Sequence, residues 1–334
     1  MKKMIENWIH EPGIHCGSAE ILNVMKYYGY DLSEAMCFGL GSGMGFFYTV
    51  SEEQSPTRLI FVRGPGMEHQ FFTTLGMPKR WKYEDDTDLA LHTVLRYIDN
   101  NIPVLVQTDL CYLDYYNTTT HFPGHVVSVW GYDPDEEKVY VSDVSFDDLQ
   151  AVSFDNFKKA RTSNATKFLL KNNWFEVEIK GPLTPLEEAL PHALRENAQM
   201  MTEGVTSGRG LSSVHQIKRW GDDLPNWGEM EDWQWCARFG YQVIVKRGVD
   251  GAGFRWMYRD FLKEAEEILP GLKPLGLSEK MGLIGNMWAE VAYVLSEISR
   301  KDAPDAGLLG KASEIANEIW EKESEYYSLV LEKV

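Results

Sequence analysis

Residues 124–143 read GHVVSVWGYDPDEEKVYVSD, and this stretch decides the fold. GHVVSVWGY (124–132) alternates and is β-branched, DPDEE (133–137) is turn chemistry, and KVYVSD (138–143) alternates again. That is the pattern of a β-hairpin with a loop longer than the minimal one. Side chains along a strand alternate between faces, so register decides what meets across the hairpin. An odd-numbered loop that pairs Gly131 with Val139 sets Val127 opposite Asp143. His125, which opens the first strand, then shares a face with Asp143, which closes the second. As diagonal neighbours, roughly 7–8 Å apart along the backbone, they are within reach of an imidazole and a carboxylate. A slip of one residue parts them.

Outward from the hairpin, PVLVQTDL (103–110) is a short apolar run that begins at proline, as a buried strand can. KFLL (167–170) and NWFEVEI (173–179) read as two further strands. TDLALHTVLRYIDNN (87–101) carries Leu91, Val94, Leu95 and Ile98 on one helical stripe. IHCGSAEILNVMKYYG (14–29) reads as a helix beginning at the cysteine, with Ile21, Val24, Met25 and Tyr28 at helical spacing and Gly29 after its end. FGLGSGMGFFY (38–48) reads as a glycine-dense loop. After about residue 180 strand signals thin out. Met281, Ile284, Trp288, Val291, Leu295 and Ile298, then Leu308, Ala312, Ile315 and Ile319, mark two helices packed through those stripes. With GPLTP (181–185) as the boundary, the expectation is α+β: residues 1–180 a sheet domain with a cysteine-bearing helix, residues 181–334 a mostly helical domain.

Composition narrows the function classes. The chain has 334 residues, is 44% apolar and carries a formal charge of -17, so a nucleic-acid partner, which needs a basic face, is not expected. The acidity is compatible with a cationic or amine substrate. No run approaches the length of a membrane span, and MKKMIENWIHEPG lacks the apolar core of a signal peptide. Cys16, Cys37, Cys111 and Cys236 form no CxxC. A reduced thiol set in a cytoplasmic protein, with no membrane partner, is the simple reading.

Cysteine catalysis needs a thiolate, a base beside it and a group that orients the base. Cys16 opens a helix, where the dipole favours an anion and the first N–H groups can serve an oxyanion. Cys16 as nucleophile, His125 as base and Asp143 as orienting acid form the candidate triad, with Asp109, at the end of its strand, as a rival acid or a substrate-amine ligand. His121 and His125 are separated by Pro123, which opposes a helical zinc pair, so no metal is expected. Gly41, Gly43 and Tyr48 are candidates for a pocket wall; the run lacks the ending of a P-loop and the setting of a dinucleotide fingerprint. Arg255 and Arg259, four apart on a helix, suit either a phosphate or simple ion pairing. Trp220, Trp227, Trp233 and Trp235 read as core filling, and the three other cysteines as core.

Three runs, HCGSAEILNVMKYYGYDLSEAMCFGLGSGMGFFY, PVLVQTDLCYLDYY and HFPGHVVSVWGYD followed by VYVSD, resemble the N-terminal domain of butirosin biosynthesis protein H. GVDGAGFRWMYRDFL (248–262) resembles the helical domain that follows it in that family. The resemblance implies a papain-like fold and, from the family's namesake, an acyltransferase of antibiotic biosynthesis that moves an aminoacyl group from an acyl carrier protein thioester to an amine. It implies Cys16, His125 and Asp143 as catalytic residues, no tightly bound cofactor, a phosphopantetheine-linked donor, an acyl carrier protein partner and a small amine acceptor. Papain-like enzymes place a glutamine before the cysteine to complete the oxyanion hole. Here none is present, and Asn7 and His15 are the candidates in its place. Two alternatives stay open: a cysteine peptidase or amidase with the same site, and an inactive binding module.

Overall fold

The hairpin forms, and its register is reached by a different route. In a computed structural model describing residues 1–166, 168–208, 210–247 and 251–334, strands Pro123–Asp133 and Lys138–Ser142 pair antiparallel. Asp133 pairs with Lys138, so the loop is Pro134–Glu137 and even-numbered, not odd. Gly131 consequently pairs with Tyr140 rather than Val139, one step off. A β-bulge between Val129 and Gly131 then inserts one residue and returns the register, pairing Val129 with Val141 and Ser128 with Ser142. Gly131 suits that site: a Cβ there would lie 2.2 Å from the Met4 sulfur and 2.7 Å from the Lys3 carbonyl oxygen, in the short strand Lys3–Met4 that pairs along the opposite edge.

The hairpin belongs to a compact unit made of Met1–Cys37 and Leu75–Leu183. Its antiparallel sheet runs, in order, Gln150–Ser153, Lys138–Ser142, Pro123–Asp133, Val104–Asp109 and Trp174–Glu176. The central strand is buried along nearly its whole length, which requires cover on both faces. The helices Cys16–Tyr27 and Thr87–Asp99 both pack on it. Asp86 caps the second of these helices, its side chain accepting from the N–H groups of Asp88 and Leu89. Of the two further strands expected, NWFEVEI contributes only Trp174–Glu176, and Phe168–Leu170 form none. Lys167 and residues 248–250 of the two runs quoted above lie outside the described residues.

The other unit joins Phe38–Thr74 to Thr184–Val334. Residues 38–74 thus fold with the C-terminal half, unlike an undivided 1–180 domain. The glycine-dense run is a turn only at residues 41–43. Gly39 lies in the helix Glu34–Leu40 and Gly45 in the strand Met44–Val50. A Cβ on Gly39 would sit 2.1 Å from the Phe261 ring, and one on Gly45 would sit 2.4 Å from the backbone of Gly64. These glycines permit close packing. Met44–Val50 pairs with Arg58–Arg63 on one side and Gly210–Ser212 on the other, and Val205–Ser207 completes a four-stranded sheet. A two-stranded ribbon alone is marginal in water, which is the physical reason the early hairpin needs the later strands.

The helices Leu277–Ile298 and Ala306–Lys333 pack together as their stripes demand. Trp288 stacks on Trp220 with centroids 5.8 Å apart, and Trp220, Trp227 and Trp233 are buried while Trp235 is 36% exposed. Arg255 is fully buried: Nε donates to Glu323 Oε1 at 2.9 Å, and Nη1 to the carbonyls of Val62 and Gly253. Its ion-pairing role holds, and it has no exposed surface to offer a phosphate. Arg259 pairs with Asp260 instead. Among the described residues, no helix is long and apolar enough to cross a membrane. Removing Glu323 leaves a buried guanidinium uncompensated. Urea denaturation of Glu323→Ala is therefore expected to show a loss of about 3–5 kcal/mol, far above that of a surface substitution.

Candidate functional site

The helix Cys16–Tyr27 begins where its cap places it. His15 is the N-cap residue: its backbone is extended, and its Nδ1 accepts the Ser18 N–H at 3.2 Å. Glu34 binds the turn that leads in. Its carboxylate accepts from the backbone N–H of Ile14 at 2.9 Å, of His15 at 2.7 Å and from the Ser18 hydroxyl at 3.0 Å. Burial pushes the Glu34 carboxyl up, and these hydrogen bonds oppose that. Cys16 is consequently the first helical residue, in the turn where unpaired N–H groups favour an anion. It is 9% exposed.

His125 stands at the opening of its strand, 4% exposed, and Asp143 follows the return strand, fully buried. His125 Nε2 lies 2.8 Å from Asp143 Oδ2. The Cys16 thiol hydrogen-bonds to the same imidazole. With Nε2 held by the carboxylate, Nδ1 is the nitrogen left for sulfur. Burial alone would depress the His125 imidazolium. The charge of Asp143, its hydrogen bond and the neighbouring Cys16 outweigh that and raise it to about 10. Asp143 is the hub of the cluster. Besides His125, it accepts from the Tyr115 hydroxyl at 2.8 Å, the Tyr116 hydroxyl at 2.8 Å and the Ser145 N–H at 3.3 Å. Burial would raise its carboxyl, but the imidazolium and these donors hold it below the usual carboxylate range. The ring of Tyr116 also stands edge-on to His125, centroids 5.7 Å apart.

The expected residues separate into groups. Cys16, His125 and Asp143 come together. His15 and its cap sit beside Cys16. Asp109 is fully buried but serves another cluster: His121 Nδ1 at 2.7 Å, the Ser163 hydroxyl at 2.5 Å, and the N–H groups of Phe122 and Cys111. Burial would raise its carboxyl; those donors hold it low. It therefore meets His121 where Asp143 meets His125, and the two histidines face different acids. Asn7 is an exposed turn residue. Gly41, Gly43 and Tyr48 belong to the other unit. There Gly41 is buried, a Cβ on Gly43 would meet the Phe38 ring at 2.6 Å, and Tyr48 donates to Asp223 Oδ2 at 2.5 Å. Tyr115, Tyr116, Glu34 and Glu20 belong to the site although no motif in the sequence marks them. The adjacent pair Tyr115–Tyr116, close before the histidine strand, is a local signal that could have pointed to a polar clamp.

Chemically, the cluster can hold a thiolate–imidazolium pair in the first turn of a helix, where the dipole favours an anion. Iodoacetamide is expected to label Cys16 faster than Cys111 or Cys236, with a rate inflection below the ~8.5 of an ordinary thiol. In Asp143→Asn the imidazolium loses its partner, so the inflection should move upward, by roughly 1 to 3 on the pH scale. Peptide mapping after timed labelling reads both.

Residues 15–144 match the family model described as butirosin biosynthesis protein H, N-terminal, and residues 155–330 match a domain of unknown function, DUF4872. No curated protein matches the chain.

Proposed function

Because the chain belongs to the butirosin biosynthesis protein H family, we propose that it is a biosynthetic cysteine acyltransferase acting through Cys16, His125 and Asp143. One observation carries the reading: a first-turn cysteine is hydrogen-bonded to a histidine whose far nitrogen is held at 2.8 Å by a buried carboxylate. A nucleophile, a base and an orienting group in that order is what acyl transfer requires. The family's name supports antibiotic biosynthesis as the setting. An acyl carrier protein as donor and a small amine as acceptor follow from the family's namesake, and the chain's charge of -17 suits a cationic acceptor.

The Cys16 thiolate attacks the thioester carbonyl while His125 carries the proton taken from the thiol. The helix N–H groups face the oxyanion. The intermediate collapses, the carrier thiolate leaves with the proton from His125, and the acyl group stays on Cys16. Neutral His125 then takes a proton from the incoming amine as its nitrogen attacks. The Cys16 thiolate departs and an amide is released. Asp143 holds Nε2–H throughout, so Nδ1 is the nitrogen that shuttles the proton.

Incubation with an acyl-thioester donor should add the acyl mass to Cys16, and an added amine should discharge it as an amide. Cys16→Ala is expected to lose both. Full transfer by that variant would sink the mechanism. Donor loss at a rate that amines leave unchanged would assign the same site to a hydrolase.

A further inference from the structure

Beneath the Cys16 cluster lies a carboxyl that the proposed chemistry leaves unused. Glu20 is four residues after Cys16 on one helix, hence on the same face, and is fully buried. Its Oε2 bonds the Ser128 hydroxyl of the histidine strand, and its Oε1 lies 3.1 Å from the Ser142 hydroxyl of the return strand. Among the described residues, no ion pair reaches it. A buried carboxylate without a cation is costly, and such a group takes up a proton instead.

The hydrogen bonds around Glu20 fit a proton on its Oε1. Both ends of the chain have fixed polarity. At one end the Trp130 indole N–H, a donor only, meets Ser128 Oγ at 2.7 Å, which leaves the serine's own proton for Glu20 Oε2. At the other end His10 Nε2 lies 2.7 Å from the Phe146 carbonyl oxygen, which only accepts, so Nε2 bears hydrogen. In a neutral ring Nδ1 is then an acceptor. Nδ1 stands 2.7 Å from Ser142 Oγ and takes that hydroxyl's single proton. Asn23 Nδ2 donates to the same oxygen at 3.2 Å. Ser142 therefore has only lone pairs left for Glu20, and the 3.1 Å contact is a hydrogen bond when Oε1 carries hydrogen. The alternative moves one proton along the chain, giving a Glu20 carboxylate and a His10 imidazolium. Half-buried His10 is thus the outlet of a relay through Ser142.

We propose that Glu20 holds a proton in the resting protein and is a positioning residue that sets the charge, and so the working pH range, of the Cys16–His125 pair. Its consequence for activity rests on the transfer reading above; the proton itself does not. The titratable groups around Glu20 are Cys16 on its own helix, His125 on the strand, Asp143 after the return strand, Tyr115 in the turn Asp114–Tyr116, and His10 through Ser142. Burial pushes the Glu20 carboxyl up to about 8. The Ser128 hydroxyl opposes this, as does the Ser142 hydroxyl when its proton turns from His10 to the carboxylate; Asp143 adds to it and His125 opposes it. With Glu20 neutral, a thiolate, an imidazolium and the Asp143 carboxylate sum to one negative charge. Once Glu20 ionises, a second negative charge binds the proton on His125 more tightly. The imidazole is then lost as base for the amine.

Two measurements on the full chain test this: the infrared carbonyl stretch of a protonated carboxyl, and the pH profile of Cys16 labelling by iodoacetamide. Wild type should show the carboxyl band at neutral pH and lose it as pH rises through about 8, with a break in the labelling profile at the same pH. Glu20→Gln should lack both band and break. His10→Phe frees the Ser142 proton to turn to Glu20, stabilising the carboxylate, so band and break should shift to lower pH. Absence of a band that Glu20→Gln removes would overturn the proposal. So would a labelling profile identical in wild type and Glu20→Gln, and a break that stays in place in His10→Phe would overturn the relay through Ser142. A Glu20 band in a protein whose Cys16 labels no faster than Cys236 would support the proton assignment and sink the transfer reading instead.

Discussion

The candidate site depends on one inserted residue. Between Val129 and Gly131 the histidine strand carries an extra residue against its partner, and everything on the site side of that bulge is aligned by it. Without it the register set by the even loop would continue, and Ser142 would pair with Val129 instead of Ser128. The two serines that share Glu20 would then lie on opposite faces, and the alignment that brings Asp143 to 2.8 Å from His125 would be lost. The close packing of Gly131 against Lys3–Met4 belongs to the same local geometry. Bulges of this kind re-aim side chains next to functional groups, and this one acts by parity.

Around that alignment the site is a problem of buried charge. Asp143 is kept ionised by one imidazolium and three other donors, Glu34 sits among the N–H groups leading into the helix, and the Glu20 carboxyl, among the described residues, bonds only to hydroxyls. Three acids near one cysteine thus have three different environments. Desolvation pushes each carboxyl up, and the number and kind of donors decides which stay charged. The tyrosine pair contributes here through Asp143, because each hydroxyl donated to it stabilises the carboxylate that orients His125.

Much of this was legible in the sequence because it is periodic. The hairpin, the cysteine helix, the stripe of Leu91, Val94, Leu95 and Ile98, and the two long C-terminal helices follow from spacing alone. What was not legible depends on partners distant in sequence. The glycines of 38–48 read as loop because nothing local announces Phe261 or Gly64, whose approach is the reason for Gly39 and Gly45. Asp109 and Asp143 both end strands and look alike locally; only tertiary structure gives one to His121 and the other to His125. The loop is even where the pattern predicts odd, the bulge has no local signal, and the two offset each other at the site. Glu20 is hidden from a sequence reading because an acid in a helix is ordinarily solvent-facing, and its burial appears only once the strand serines are in place.

The discontinuous second unit has a consequence for how the chain is made. The strands Met44–Val50 and Arg58–Arg63 leave the ribosome early, yet the strands that extend their sheet, Val205–Ser207 and Gly210–Ser212, are synthesised only after the whole remainder of the first unit. During that interval the nascent chain carries a ribbon with an unpaired edge and apolar residues such as Phe46 and Phe47 awaiting burial. Such exposed edges are where growing chains misassociate. The usual vectorial order, in which an N-terminal domain is finished before the next begins, is not open to this topology as a whole. A cut at the apparent boundary near residue 183 would strand the ribbon permanently.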